Sequence, residues 1–159
     1  MLTPEGVLRH RQTLTSTATS DQATIWRWRD HYQYDFAARM NWCVADTFAK
    51  ANHNPIPALN GDLTKSVLTI AAKGGSTVTL AADGTTDPDG DTVTLTWWIY
   101  PEAGTVTAPA TLSAAHGTTT QLRVPQVSTP GTLHVILQAE DNGTPHLFAY
   151  RRAILQVTP

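Results

Sequence analysis

After residue 66 the chain alternates apolar and polar positions, and glycine, aspartate, asparagine and proline break the alternation at short intervals. Successive side chains of a strand point to opposite faces, so each alternating run reads as a half-buried strand and each break as a turn. The runs cover residues 67–71, 77–81, 92–100, a weaker one near 110–113, 119–124, 132–139 and 148–157. Val78 and Leu80 share one face, as do Val93, Leu95, Trp97 and Ile99, then Leu122 and Val124, then Leu133, Val135, Leu137 and Ala139. Lys73-Gly74-Gly75, the stretch from Asp83 to Asp91, and Asp141-Asn142-Gly143-Thr144-Pro145 carry turn chemistry. About seven short strands in roughly 100 residues predict a mainly β fold, a Greek-key β-sandwich of the immunoglobulin class with Trp97 buried in its third strand.

A different period governs the earlier part. Trp28, Tyr32, Phe36, Met40, Val44 and Phe48 recur every four residues, and Ala37, Ala38 and Arg39 favour a helix by propensity. The pattern predicts one helix from Asp30 or Gln33 to Ala49. Its aromatic stripe needs a partner, either the sandwich or a domain outside this chain. Residues 1–23 are polar and weakly patterned. Pro55 and Pro57 remove backbone donors and favour extended geometry, which marks a junction. The expected organisation is a Trp-rich helical segment over 1–54 and a sandwich over 55–159.

Charge and cysteine usage exclude several partners. Only 15% of residues are charged and the net charge is -2, with no basic run beyond Arg151-Arg152, so no nucleic acid partner is expected. Cys43 is the single cysteine, which rules out an internal disulfide and a cysteine metal cage. The start from Met1 lacks the features of a signal peptide, and no stretch is suited to spanning a bilayer, so no membrane partner is expected. A fragment of a secreted protein would read the same way.

Three short stretches resemble cadherin-like repeats. Ala139-Glu140-Asp141-Asn142-Gly143-Thr144-Pro145-His146-Leu147 is similar to the cadherin hairpin turn. Asp87-Pro88-Asp89-Gly90-Asp91 resembles a turn of bacterial immunoglobulin-like and cadherin-like repeats, and Asn52-His53-Asn54-Pro55 their entry. A wider resemblance covers the chain. Ala23-Thr24-Ile25-Trp26-Arg27-Trp28-Arg29, Asp35-Phe36-Ala37-Ala38-Arg39-Met40-Asn41-Trp42 and Ala51-Asn52-His53-Asn54-Pro55 are similar to the end of the nucleoside-hydrolase-like domain of bacterial cellulose-binding proteins. Trp97-Trp98-Ile99-Tyr100-Pro101-Glu102-Ala103-Gly104-Thr105 resembles their immunoglobulin-like C-terminal domain. The resemblance implies the C-terminal third or so of an extracellular or periplasmic, polysaccharide-associated protein, with residues 1–54 as the helical tail of the upstream domain. That upstream domain is the partner it implies.

Two constellations suggest chemistry. The sandwich topology brings the loop of Asp87, Asp89 and Asp91 to the same end as Asp141 and the entry at Asn52 or Asn54. Carboxylates gathered in one corner repel unless a hard cation takes them as ligands, so the corner reads either as a Ca²⁺ site or as a set of plain turn formers. Trp98 and Tyr100 point opposite to Trp97, so they could stack on a sugar ring with Glu102 bonding a hydroxyl, or pack against the Trp-rich helix. Catalytic motifs are missing. The six histidines are scattered without metal spacing, and neither a nucleophile elbow nor a phosphate loop occurs. His134 falls on the face opposite the core and is expected at the surface. The chain reads as a non-catalytic accessory module. The alternatives are a direct carbohydrate-binding module and the rim of a glycosidic or N-glycosidic hydrolase site in the full-length protein.

Overall fold

The structure, a computed structural model, describes residues 23–159. The polar stretch expected at the start lies outside the described residues up to residue 22. Helices α1 (Ala23–Trp26) and α2 (Arg29–Val44) come first, and a 3-10 turn at Phe48–Lys50 leads into an extended segment. Seven strands follow: β1 (Leu68–Lys73), β2 (Thr77–Ala81), β3 (Thr94–Ile99), β4 (Thr111–Leu112), β5 (Thr119–Arg123), β6 (Gly131–Glu140) and β7 (Phe148–Thr158). They form two sheets, ordered β1-β7-β6-β3 and β2-β5-β4. Every pair is antiparallel except β1 with β7, where Leu68 lies beside Ala153. Consecutive strands β1, β2 and β3 therefore cross between the sheets, and the result is an immunoglobulin/cadherin-like Greek-key sandwich.

The alternation seen in the sequence becomes the core. Leu95 and Trp97 of β3, Leu133, Val135, Leu137 and Ala139 of β6, and Leu155 and Val157 of β7 pack with Leu80 and Leu122 of the smaller sheet. Trp97 is only 2% exposed, and its indole Nε1 donates to the Gly117 carbonyl at 2.8 Å. The one polar atom of the largest core side chain is thereby satisfied. β3 starts at Thr94 rather than at 92, because the Thr92 N–H is taken by the Asn142 side-chain oxygen at 2.8 Å.

The two adjacent arginines split between the faces of β7. Arg151 points inward and is buried, donating to the carbonyls of Pro57 and Ser66 at 3.3 Å each and pairing with Asp62 at 3.3 Å. It pins the segment that crosses before β1. Arg152 points outward and donates from Nε to Nδ1 of His134 at 2.9 Å. His134 is therefore not the surface residue the alternation suggested. It does face outward, but β6 is a central strand and the Arg152 side chain lies against the imidazole, leaving it 6% exposed.

The helix departs further from expectation. It ends at Val44, five residues early, because Ala45 turns extended with ψ 131°. The four-residue stripe is not its buried face. Tyr32, Phe36, Met40, Val44 and Phe48 are all exposed, Val44 at 83%. Residues advance about 100° each around a helix, so a four-residue step overshoots one turn by about 40° and a stripe drifts off its face within a few steps. The face turned to the sandwich is Trp28, His31, Asp35, Ala38 and Trp42, stepping alternately by three and four, with Ala38 fully buried.

Candidate functional site: an aromatic seam and an acidic corner

α2 lies against the outer face of the larger sheet, where Trp98, Phe148 and Tyr150 point outward. Trp28 makes the central contact, its ring centroid 6.2 Å from Trp98 and 5.4 Å from Tyr150. His31 stacks on Phe148 at 3.8 Å, and the Tyr150 hydroxyl meets its Nδ1. Trp42 reaches back to the junction, donating Nε1 to the Asn52 carbonyl at 2.7 Å.

The expected sugar-stacking residues sit in this seam. Trp98 is half-buried against Trp28 and Tyr150, so its ring is occupied by the helix. Tyr100 lies beneath the Arg27 guanidinium, 5.9 Å from its centroid, and Glu102 bonds the same arginine at 3.0 Å. Beside them, a cavity of about 630 Å³ remains between α2, the segment 65–67 and β7, bordered by Tyr100, Tyr32, Lys65 and Arg152 among others.

Burial holds the His31 imidazole below its ordinary value of 6.5, against the opposing pull of Asp30. Burial, then Arg152, does the same to His134. Tyr150 is pushed the other way, by burial first and Glu140 second, so its hydroxyl stays protonated as a donor to neutral His31. Lowered histidine values mean that the unfolded chain binds more protons in acid. The stability that these histidines contribute is full above about pH 6.5 and is lost as pH falls through the lower folded-state values. Thermal unfolding followed between pH 7.5 and 5 should show a falling midpoint, and His31→Gln should flatten part of that fall. An unchanged slope in His31→Gln would remove the seam histidine from the account.

The acidic corner gathers at the end of the sandwich. Asp87, Asp89 and Asp91 each offer an oxygen, all within 4.8 Å of one another. Asp87 Oδ1 accepts the N–H groups of Asp89 (2.8 Å) and Asp91 (3.2 Å), which folds the loop into a tight turn. Burial, reinforced by Asp87, Asp141 and Asp89, pushes the Asp91 carboxyl above its ordinary range. Asp141, 2% exposed, accepts the N–H groups of Gly143 and Leu147 at 3.0 Å each and the Asn52 amide at 3.1 Å. Asn54, the other candidate at the entry, turns away from the corner, donating to Asp35 Oδ1 of α2 at 3.3 Å and to the Phe148 carbonyl of β7 at 3.1 Å.

One participant escaped the sequence reading. The His53 N–H donates to Asp89 Oδ2 at 2.7 Å, and its ring stacks on Phe48 at 3.6 Å and on Trp42 at 5.3 Å. Only its place beside Asn52 in the junction could have signalled this. Among the described residues, two oxygens of the corner are buried without a hydrogen-bond partner, Asn52 Oδ1 and Asp87 Oδ2.

Comparison with known proteins yields a family and a solved relative. The family described as cellulose-binding protein Sde0182, C-terminal domain, matches residues 77–157. A nucleoside hydrolase-related hypothetical protein from Saccharophagus degradans, described as associated with carbohydrate metabolism, is 36% identical with a TM-score of 0.82, covering 84% of this chain and 33% of that one. The chain thus spans a third of that relative's length. Mouse clustered PcdhgC3 EC1-3 is 15% identical with a TM-score of 0.40, covering 65% of this chain and 34% of that one. Human CDH23 EC21-23 is 17% identical with a TM-score of 0.40, covering 66% and 35%. No curated protein matches. Among the described residues, no helix is long and apolar enough to cross a membrane.

Proposed function

The chain belongs to the family of Sde0182-type cellulose-binding protein C-terminal domains, and from that premise we propose that it is a non-catalytic accessory module docked on an upstream nucleoside-hydrolase-like domain. The observation that carries this is the open ridge of α2. Phe36 (63% exposed), Met40 (47%) and Val44 (83%) face away from the sandwich while the opposite side of the same helix is packed against it. Apolar side chains in a row on a helix face are more than scattered surface hydrophobes and mark a surface meant to be covered. This chain covers 33% of the Saccharophagus relative, and a domain like the remainder of that protein is the cover we propose. The setting is a secreted, polysaccharide-associated protein, as the family's description suggests.

Cys43, exposed and next to Val44, reports on the ridge. Its thiol should react rapidly with a thiol reagent in the isolated chain. In the full-length protein it should react about tenfold more slowly or less, since cover must open before the reagent enters. Peptide mass spectrometry would localise the label. Equal rates in both would leave the ridge open to solvent and end the docking proposal.

The acidic corner supports a second element of this reading, a Ca²⁺ that stiffens the joint between helix and sandwich. Hard cations take carboxylate and amide oxygens; Asp87, Asp89 and Asp91 offer three within 4.8 Å of one another, and Asp141 and Asn52 Oδ1 would complete the set. The two buried oxygens without partners fit that assignment, because an unpaired buried acceptor costs stability unless something binds it. Asn52 sits between the linker and Asp141, so a cation there would tie α2 to both loops of the corner.

A further inference from the structure

We propose that the cavity between α2, the segment 65–67 and β7 binds a small aromatic carboxylate, a molecule with a flat ring and one negative charge. This site goes beyond the docking and cation proposals and depends on neither. At about 630 Å³ the cavity falls within the range of about 300–1,000 Å³ usual for small-molecule sites.

The charges at its border set the sign of the ligand. Asp35, Lys65, Arg151 and Arg152 all line it. Two of them are already matched. Asp35 pairs with Arg39 at 2.6 Å and takes Asn54 on its other oxygen at 3.3 Å, while Arg151 pairs with Asp62 at 3.3 Å. Lys65 and Arg152 form no ion pair among the described residues. Arg152 does bond His134 Nδ1, but burial and then Arg152 itself lower that imidazole's affinity for a proton, so it offers a lone pair and no counter-charge at neutral pH. A guanidinium carries five N–H groups, and those not spent on His134 remain for a second acceptor. Two positive charges at one cavity therefore lack a negative partner.

The rest of the border is flat and apolar, with the rings of Trp28, Tyr32 and Phe148 beside Val67 and Ile136. A neutral apolar molecule would cover those rings but strip water from Lys65 and Arg152 without replacing it, which is costly. A small inorganic anion would answer the charges and leave the rings facing water. An aromatic carboxylate does both, since its ring lies on the aromatic wall while its oxygens take charge-assisted bonds from the two cations. The site is also built in advance. Tyr150 is fixed by Trp28 and His31, and His134 holds the Arg152 fork, so little ordering is left for the ligand to impose. The mouth is open, with Tyr32 46% exposed and Lys65 at the surface.

The test is a titration of the isotope-labelled chain with 2-naphthoate, with 2-naphthamide and with acetate, followed by amide and indole resonances. Naphthoate shifts should concentrate on residues 65–67 and 148–152 and on the Trp28 indole. The amide lacks the charge and acetate lacks the ring, so each should bind about tenfold more weakly or worse, the worth of one charge-assisted bond or one buried ring. Lys65→Ala, a change at an exposed position, should weaken naphthoate by about tenfold and leave the amide unchanged, and Lys65→Arg should restore naphthoate binding. Phe36→Asp, on the ridge assigned to docking, should leave the naphthoate titration unchanged, so failure of one proposal is separable from failure of the other. Absence of shifts at millimolar naphthoate overturns the assignment. So does equal binding of the amide or of acetate, or naphthoate binding that ignores Lys65→Ala.

Discussion

A Trp97→Ala chain should unfold at a temperature lower by well over 10 °C, while Trp98→Ala, one residue along, should leave the sandwich close to its original midpoint. The difference follows from the faces of β3. Trp97 is 2% exposed between the sheets, and its truncation removes the largest side chain of the core together with the Nε1 bond to Gly117. Loss of a buried aromatic of this size costs about 3–5 kcal/mol, through the lost transfer energy and the cavity left behind. For a domain of about 100 residues that corresponds to roughly 4–8 °C per kcal/mol, and it consumes a large part of a total stability of about 5–15 kcal/mol. Trp98 faces the helix instead, its centroid 6.2 Å from Trp28. Its loss should loosen α2, seen as reduced helical circular dichroism, and spare the cooperative unfolding of the strands. Calorimetry on both variants checks this. A Trp97→Ala midpoint within a few degrees of the unmodified chain would mean that the core is not organised around this indole.

The contrast between the two tryptophans also shows what the sequence could carry. The strands were legible because a half-buried strand writes its environment into every second residue. Thr77–Ala81 appears with the bounds its alternation implied, and the core positions from Val135 to Ala139 follow in step. The end of the helix was harder, since Ala45, Asp46 and Thr47 do not announce a break as proline or glycine would. The stripe misled for a geometric reason. A four-residue repeat looks helical but precesses, and the packed face was written in the less conspicuous series Trp28, His31, Asp35, Ala38 and Trp42. His31 and Asp35 are polar, and they face the sheet because Phe148, Tyr150 and Asn54 offer stacking and hydrogen bonds there. Contacts of that kind depend on tertiary partners, Tyr150 119 residues from His31 and Asn54 19 residues from Asp35, and leave no local pattern. The acidic corner was legible through topology alone: a Greek key places the loops before β3 and after β6 at one end, whatever binds there.

Asp141 is where the fold and the proposed cation meet, and Asp141→Ala should be the more damaging of the corner substitutions. Its carboxylate takes three donors, and one of them, the N–H of Leu147, belongs to a residue that is fully buried. Removing an ionised acceptor from buried donors costs about 1–3 kcal/mol for each donor stranded, so a loss of about 3 kcal/mol is expected. Asp89→Ala provides the complementary change. The Asp89 side chain is 16% exposed, and its only hydrogen-bond partners among the described residues are the His53 N–H and ring, so it strands fewer donors than Asp141. This variant should keep the fold but lose any response to Ca²⁺. For the unmodified chain, Ca²⁺ at a hundred times its Kd should add about 2.7 kcal/mol, a rise of several degrees that EDTA reverses. Repulsion points the same way: burial first, and then the carboxylates of Asp87, Asp141 and Asp89, hold Asp91 above its ordinary value, and a cation would relieve the second of these. A rise in the unmodified chain that is absent from Asp89→Ala would make the corner a metal-stiffened joint. No rise at millimolar Ca²⁺ would reduce Asp87, Asp89 and Asp91 to turn formers. The Asp141→Ala loss should persist in either case, because it rests on hydrogen bonds the protein makes by itself.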